Sequence, residues 1–115
     1  MKQRDDNQRR ATRADRASLA EAFMAMQTTE ECRDLLRDLT TPAELEALVD
    51  RWRVARLLDA GLPYREINQQ TGVSVTTIGR VARFIEMGND GYRRALDRLR
   101  EKDETDESDT RQSPR

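Results

Sequence analysis

Residues 64–84, YREINQQTGVSVTTIGRVARF, decide the fold of this chain. Apolar residues fall at Ile67, Val73, Ile78, Val81 and Ile85, with steps of three and four on the second half, so one stripe of each of two short helices faces inward. Gly72 stands between the helices, where a left-handed backbone costs a residue without Cβ little. Ser74 is placed to cap the second helix. This is the layout of a helix-turn-helix over residues 64–87, and it predicts DNA as the partner. Val75, Thr76, Thr77, Arg80 and Arg83 fall mainly on the face that Ile78 and Val81 leave unused, with small groups near the helix start and cations further along. Such a face suits a major groove. A plain helical hairpin with Thr and Arg on its outside satisfies the same spacing, so the rest of the chain has to decide. Asn68 is a departure, since it lies close to the helix crossing where alanine is usual in this motif.

Upstream, Thr41, Pro42 and Glu44 form a capping box with proline at the first helical position. Leu45, Leu48, Val49, Trp52, Ala55 and Leu58 then carry an apolar stripe to a stop at Gly61. This helix is expected to be the longest, at about twenty residues. From Asp15 to Gln27, the residues Leu19, Ala20, Phe23, Met24 and Met26 give a helix with a wide apolar face. Thr29 is placed to cap a second helix through Cys32, Leu35, Leu36 and Leu39. Both are candidates for a dimer seam. Downstream, Gly88, Asn89, Asp90 and Gly91 make a break, and Tyr92, Ala95, Leu96 and Leu99 mark a sixth helix. The expected fold class is all-α, with about six helices over residues 14–100. Residues 1–13 form a basic arm without periodicity, which fits both a phosphate-contacting arm and a solvated tail. Residues 101–115 are acidic, contain no apolar side chain, and are expected to be disordered.

Composition bears on the partner only through its distribution. The 115 residues are 36% hydrophobic, 37% charged and 4% aromatic, a thin core for one domain, and a small helical chain of that kind often completes its core with a second copy. The formal net charge of −1 is unpromising for a polyanionic partner. Residues 1–16, however, carry six basic and three acidic side chains, and residues 62–100 seven and four. Residues 17–61 hold five and nine, and residues 101–115 three and six. Positive charge lies where the motif lies.

Several function classes are excluded as expectations. No run approaches the ~18 apolar residues of a membrane span, and the polar N-terminus has no apolar signal core, so the protein is expected in the cytoplasm. Cys32 is the single cysteine and there is no histidine, which removes an internal disulfide and a Cys/His metal cage. The absence of histidine also removes the commonest general base, and no phosphate-cradling glycine loop or nucleophile elbow is present. Glu30, Glu31, Glu44 and Glu46 sit in first turns, where the helix dipole already accounts for them. No enzymatic activity and no cofactor are expected.

The run LTTPAELEALVDRWRVARLLDAG (39–61), the Gly72 hinge followed by TTIGRV (76–81), and GNDGYRRALDRL (88–99) together resemble the tryptophan repressor superfamily, in its Trp-repressor-like branch of the YerC/YecD type. The resemblance covers roughly Thr29 to Leu99. It implies an interlocked all-helical homodimer whose two recognition helices enter successive major grooves of a near-palindromic operator. Carried over by position, Val75, Thr76 and Thr77 match the base-reading start of the recognition helix, Gly79 a nearby DNA-facing position, and Arg65 a backbone-contacting residue. Asn68 falls where a basic phosphate-binding residue stands, so its contact would be a neutral hydrogen bond. Arg83 is a further candidate for a base or phosphate contact. Valine and threonine offer methyl and hydroxyl contacts rather than bidentate ones, which leaves room for readout through water and DNA shape.

The same resemblance bears on an effector. In the tryptophan repressor the amino acid lies between the long helix and the recognition helix, and Thr41, Arg51 and Arg80 match positions that suit its charged ends. The small residue that admits the indole is Val81 here, and a small polar residue one turn later is Phe84. These side chains are expected to fill the cavity, leaving Arg51 and Arg80 to structural pairing, so no tryptophan corepressor and no small-molecule effector are expected. The expected function is a dimeric, sequence-specific DNA-binding transcriptional regulator, most simply a repressor. Two alternatives stay open: a sensor gated by another small molecule, and a protein-interaction module using the helix-turn-helix surface.

Overall fold

The computed structural model describes the backbone of residues 9–112 and the side chains of residues 9–106. Six α-helices and no strand occur among them: α1 (Arg13–Met24), α2 (Thr29–Leu39), α3 (Pro42–Asp59), α4 (Tyr64–Thr71), α5 (Val75–Met87) and α6 (Gly91–Gln112). The chain divides into two compact units, Met1–Leu45 and Glu46–Arg115. No described helix is long and apolar enough to cross a membrane.

The first unit is built by its caps. Thr12 and Asp15 form a reciprocal capping box at α1, with Thr12 N–H donating to Asp15 Oδ2 at 2.8 Å and Asp15 N–H to Thr12 Oγ1 at 3.1 Å. The helix therefore begins at Arg13, earlier than its apolar residues indicate, and the part of the expected basic arm before residue 9 lies outside the described residues. At α2 the cap is Thr28 rather than Thr29: Glu31 N–H donates to Thr28 Oγ1 at 3.0 Å, and Glu31 Oε1 accepts from Gln27 N–H at 2.9 Å. A cap at Thr29 would have placed Cys32 at the third helical position, with no carboxylate to return the bond. The box at α3 is as expected, with Thr41 N–H to Glu44 Oε1 at 2.8 Å and Glu44 N–H to Thr41 Oγ1 at 3.2 Å. Neither α1 nor α2 buries a residue, and Cys32 is half-buried.

The second unit holds the core. Val54 and Ala55 from α3, Ile67 from α4, Val73 from the hinge, Ile78 and Val81 from α5 and Leu96 from α6 are buried together, with Trp52, Leu57, Leu58, Leu62, Ile85 and Tyr92 packed around them. Two of the residues expected in the α3 stripe behave differently, since Leu48 and Val49 are exposed. Leu48 continues the stripe of Trp52 and Ala55 toward the start of α3, but the core of this unit reaches along α3 only as far as Trp52.

Helix α6, with 22 residues, is longer than α3 with 18, which corrects the expectation that α3 is longest. The segment from residue 101 expected to be disordered continues α6 as far as Gln112. No glycine or proline interrupts it before Pro114, Thr105 Oγ1 donates back to the Glu101 carbonyl at 2.9 Å, and an established helix propagates at one hydrogen bond per added residue. The near end of α6 is tied to α3 by charge. Asp59 accepts from Arg93 Nη1 at 3.2 Å and from Arg100, and Asp97 lies 3.4 Å from Arg93 and 3.8 Å from Arg100. The Arg100 hydrogen bond above all holds the Asp59 carboxyl below its ordinary pKa.

Candidate nucleic-acid interface

The hinge sets the angle at which α5 is presented. Gly72 adopts φ +74°, a left-handed conformation that ends α4, and its N–H donates to the Asn68 carbonyl at 2.8 Å. Two side chains then lock the turn. Asn68 Nδ2 donates to the Val73 carbonyl at 2.8 Å, while Thr71 Oγ1 donates to the Ile67 carbonyl at 2.7 Å and accepts from Val73 N–H at 3.0 Å. Sequence reasoning gave Asn68 a DNA contact; in the structure its amide faces the turn and is half-buried. Thr71 went unnoticed, although a threonine directly before a helix-ending glycine is a plain signal of such a clamp. Ser74 caps α5 as expected, its Oγ accepting from Thr77 N–H at 3.2 Å and donating to Thr77 Oγ1 at 3.1 Å.

Beyond that cap, α5 is seated by Ile78 and Val81, both essentially fully buried, and its other face is bare. Val75 is 55% exposed, Thr76, Arg80 and Arg83 are exposed, and Thr77 and Gly79 are half-buried. Thr76, Gly79, Arg80 and Arg83 share a shallow groove with Phe84 and Met87. Arg65 on α4 is exposed and makes no ion pair among the described residues. Of the residues expected to read DNA, Thr76, Gly79 and Arg83 are thereby brought together in one groove, Val75 and Arg65 are exposed outside it, and Thr77 and Asn68 are half-buried.

Behind α5 lies an open cleft of about 460 Å³, lined by Arg51 and Trp52 of α3, Arg80, Val81 and Phe84 of α5, and the turn and first residues of α6 through Tyr92 and Ala95. Val81 is buried in the core beneath this cleft, and Phe84 stacks under Arg80, whose Cζ lies 4.8 Å from the ring centroid. Thr41 belongs to the other unit, where it caps α3.

Two helices crossing at a left-handed glycine, the second capped and outwardly polar, define the helix-turn-helix class of DNA-binding proteins. The family model for the Trp repressor protein matches residues 15–100, and the chain belongs to that family of transcription regulators. It is 41% identical over 83 residues to the uncharacterized protein YerC of Bacillus subtilis, which covers 72% of this chain and 80% of that one. It is 40% identical over 68 residues to a Trp operon repressor homolog of Vibrio vulnificus, covering 58% of this chain and 67% of the relative. The solved structure of a TrpR-like protein from Eubacterium eligens superposes with a TM-score of 0.70 at 36% identity, over 76% of this chain and 90% of the other.

Proposed function

We propose that the protein is a sequence-specific transcriptional regulator that binds a near-palindromic operator in the major groove as a homodimer, and that it represses by occupancy. The observation that carries this reading is the seating of α5: one face fixed by Ile78 and Val81, the opposite face exposed at Thr76 and Arg83. Val75, Thr76 and Thr77 read base edges, and Arg65 fixes the protein on the phosphate backbone. Asn68 acts by holding the hinge. The unpartnered apolar side chains of Leu19, Met24, Leu39, Leu48 and Val49 supply the seam for a second copy. Selection from random duplexes tests the whole reading. An enriched near-palindrome with half-sites about 10 base pairs apart is expected, with affinity falling steeply as salt rises. Absence of any enriched sequence would sink it in favour of a protein partner.

Tryptophan is not needed for this binding, because Arg80 already rests on Phe84 within the chain. The open cleft favours a second reading, in which a small aromatic carboxylate enters between Arg51 and Arg80 and gates α5. Titration calorimetry decides between them; micromolar binding of tryptophan would replace the first reading by the second.

A further inference from the structure

Along α5 the residues directly opposite Ile78, Val81 and Ile85 are Thr76, Arg83 and Met87, spaced seven and four apart on one line of the helix. They form the crest that enters deepest into any groove α5 occupies. Threonine offers one hydroxyl and methionine none, so the crest has a single group able to make two parallel hydrogen bonds to a base. That group is the Arg83 guanidinium. It is exposed and, among the described residues, takes part in no ion pair or ring contact, whereas its neighbour Arg80 is held over Phe84.

Its direction follows from helix geometry. A helical side chain leans toward the N-terminus and covers the turn before its own Cα, which for Arg83 is the turn of Gly79 and Arg80. At Gly79 there is no side chain in the way, and even a Cβ there would meet only the Tyr64 ring, at 4.0 Å. The stem of Arg83 therefore has open space to lie forward, in the groove it shares with Thr76 and Gly79, with its fork carried toward the reading end of α5.

We propose that Arg83 is the residue through which α5 selects a guanine in each half-site, by a bidentate bond to O6 and N7. The planar fork of arginine matches those two acceptors, and guanine is the base that presents them side by side in the major groove. The proposal rests on the DNA-binding reading above and adds the base identity and the residue that reads it.

The test uses the full chain. Wild type and Arg83→Ala are each taken through selection from random duplexes, and both are then titrated against the wild-type consensus, against duplexes with single G·C to A·T changes, and against 7-deazaguanine substitutions that remove N7. The expected result is one guanine per half-site whose replacement or N7 removal weakens wild type by about ten- to a hundredfold, and which Arg83→Ala no longer distinguishes from adenine. Alanine offers no donor to a base, so a guanine preference and N7 dependence that persist in Arg83→Ala overturn the proposal while leaving the DNA-binding reading standing. A uniform loss on all duplexes in Arg83→Ala, with a lower salt slope and unchanged consensus, overturns it equally. If wild type itself enriches no sequence, both the proposal and the reading beneath it fail. Unchanged thermal unfolding of the exposed-site variants separates these results from misfolding.

Discussion

The side-chain amide of Asn68 donates to the main-chain carbonyl of Val73 at 2.8 Å, spanning the glycine that joins α4 to α5. No other donor among the described residues reaches that part-buried carbonyl, so Asn68→Ala removes its partner. We expect a loss of about 1–2 kcal/mol in urea unfolding, together with weaker operator binding as the hinge loosens. Reduced DNA binding with unchanged stability would instead mark Asn68 as a direct contact.

Glycine is required at two places for different reasons. Gly72→Ala forces a side chain into φ +74° and is expected to cost about 1–2 kcal/mol. Gly88→Ala is expected to cost more, since the added Cβ would lie 2.4 Å from the Phe84 carbonyl oxygen and the backbone must move. Chemical denaturation of the two variants ranks them; the reverse order would contradict the packing at the end of α5.

Acid should act through Asp59. Its folded pKa lies below its unfolded value, first because of the Arg100 hydrogen bond, so the unfolded chain takes up the proton more readily. The stability this supplies is present above the ordinary aspartate pKa of about 3.9 and is lost as pH falls through the folded value. Asp59→Asn is expected to unfold about 1 kcal/mol more easily at neutral pH and to show a shallower loss between pH ~5 and ~3. Parallel pH profiles for wild type and variant would rule out this linkage. Asp15 and Glu44, each lowered mainly by the backbone N–H of its capping threonine, add slope of the same sign in both proteins.

Two substitutions on the reading surface should separate sequence from charge. Thr77→Ala is expected to change which duplexes are preferred, and Arg65→Ala to weaken all of them alike and lower the salt slope by about one. Equal losses from both on every duplex would argue that α5 reads no bases directly.

The hinge was open to reading because its residues allow few alternatives. Ile67, Val73, Ile78 and Val81 are spaced so that only one arrangement of two helices buries all four, and all four are buried. What the spacing could not tell was the partner of a face. Leu48 lies on the same stripe as Trp52 and Ala55, yet the core of its unit reaches no further toward the start of α3 than Trp52. The tail misled for a related reason: lack of apolar residues forbids a core but not a helix, whose hydrogen bonds are internal. At the cleft, side-chain size was legible, but the stacking of Phe84 on the Arg80 guanidinium was not.

Helices α1 and α2, of 12 and 11 residues, bury no side chain within one chain, and isolated helices of that length are marginal in water. If a second copy supplies the missing contacts, ordering the first third of the protein is a bimolecular event, and its extent varies with abundance. Gene dosage then becomes part of the physics of regulation. A cell holding few copies would carry intact reading units without the framework that pairs them, and a modest rise in expression would sharpen the response well beyond proportion.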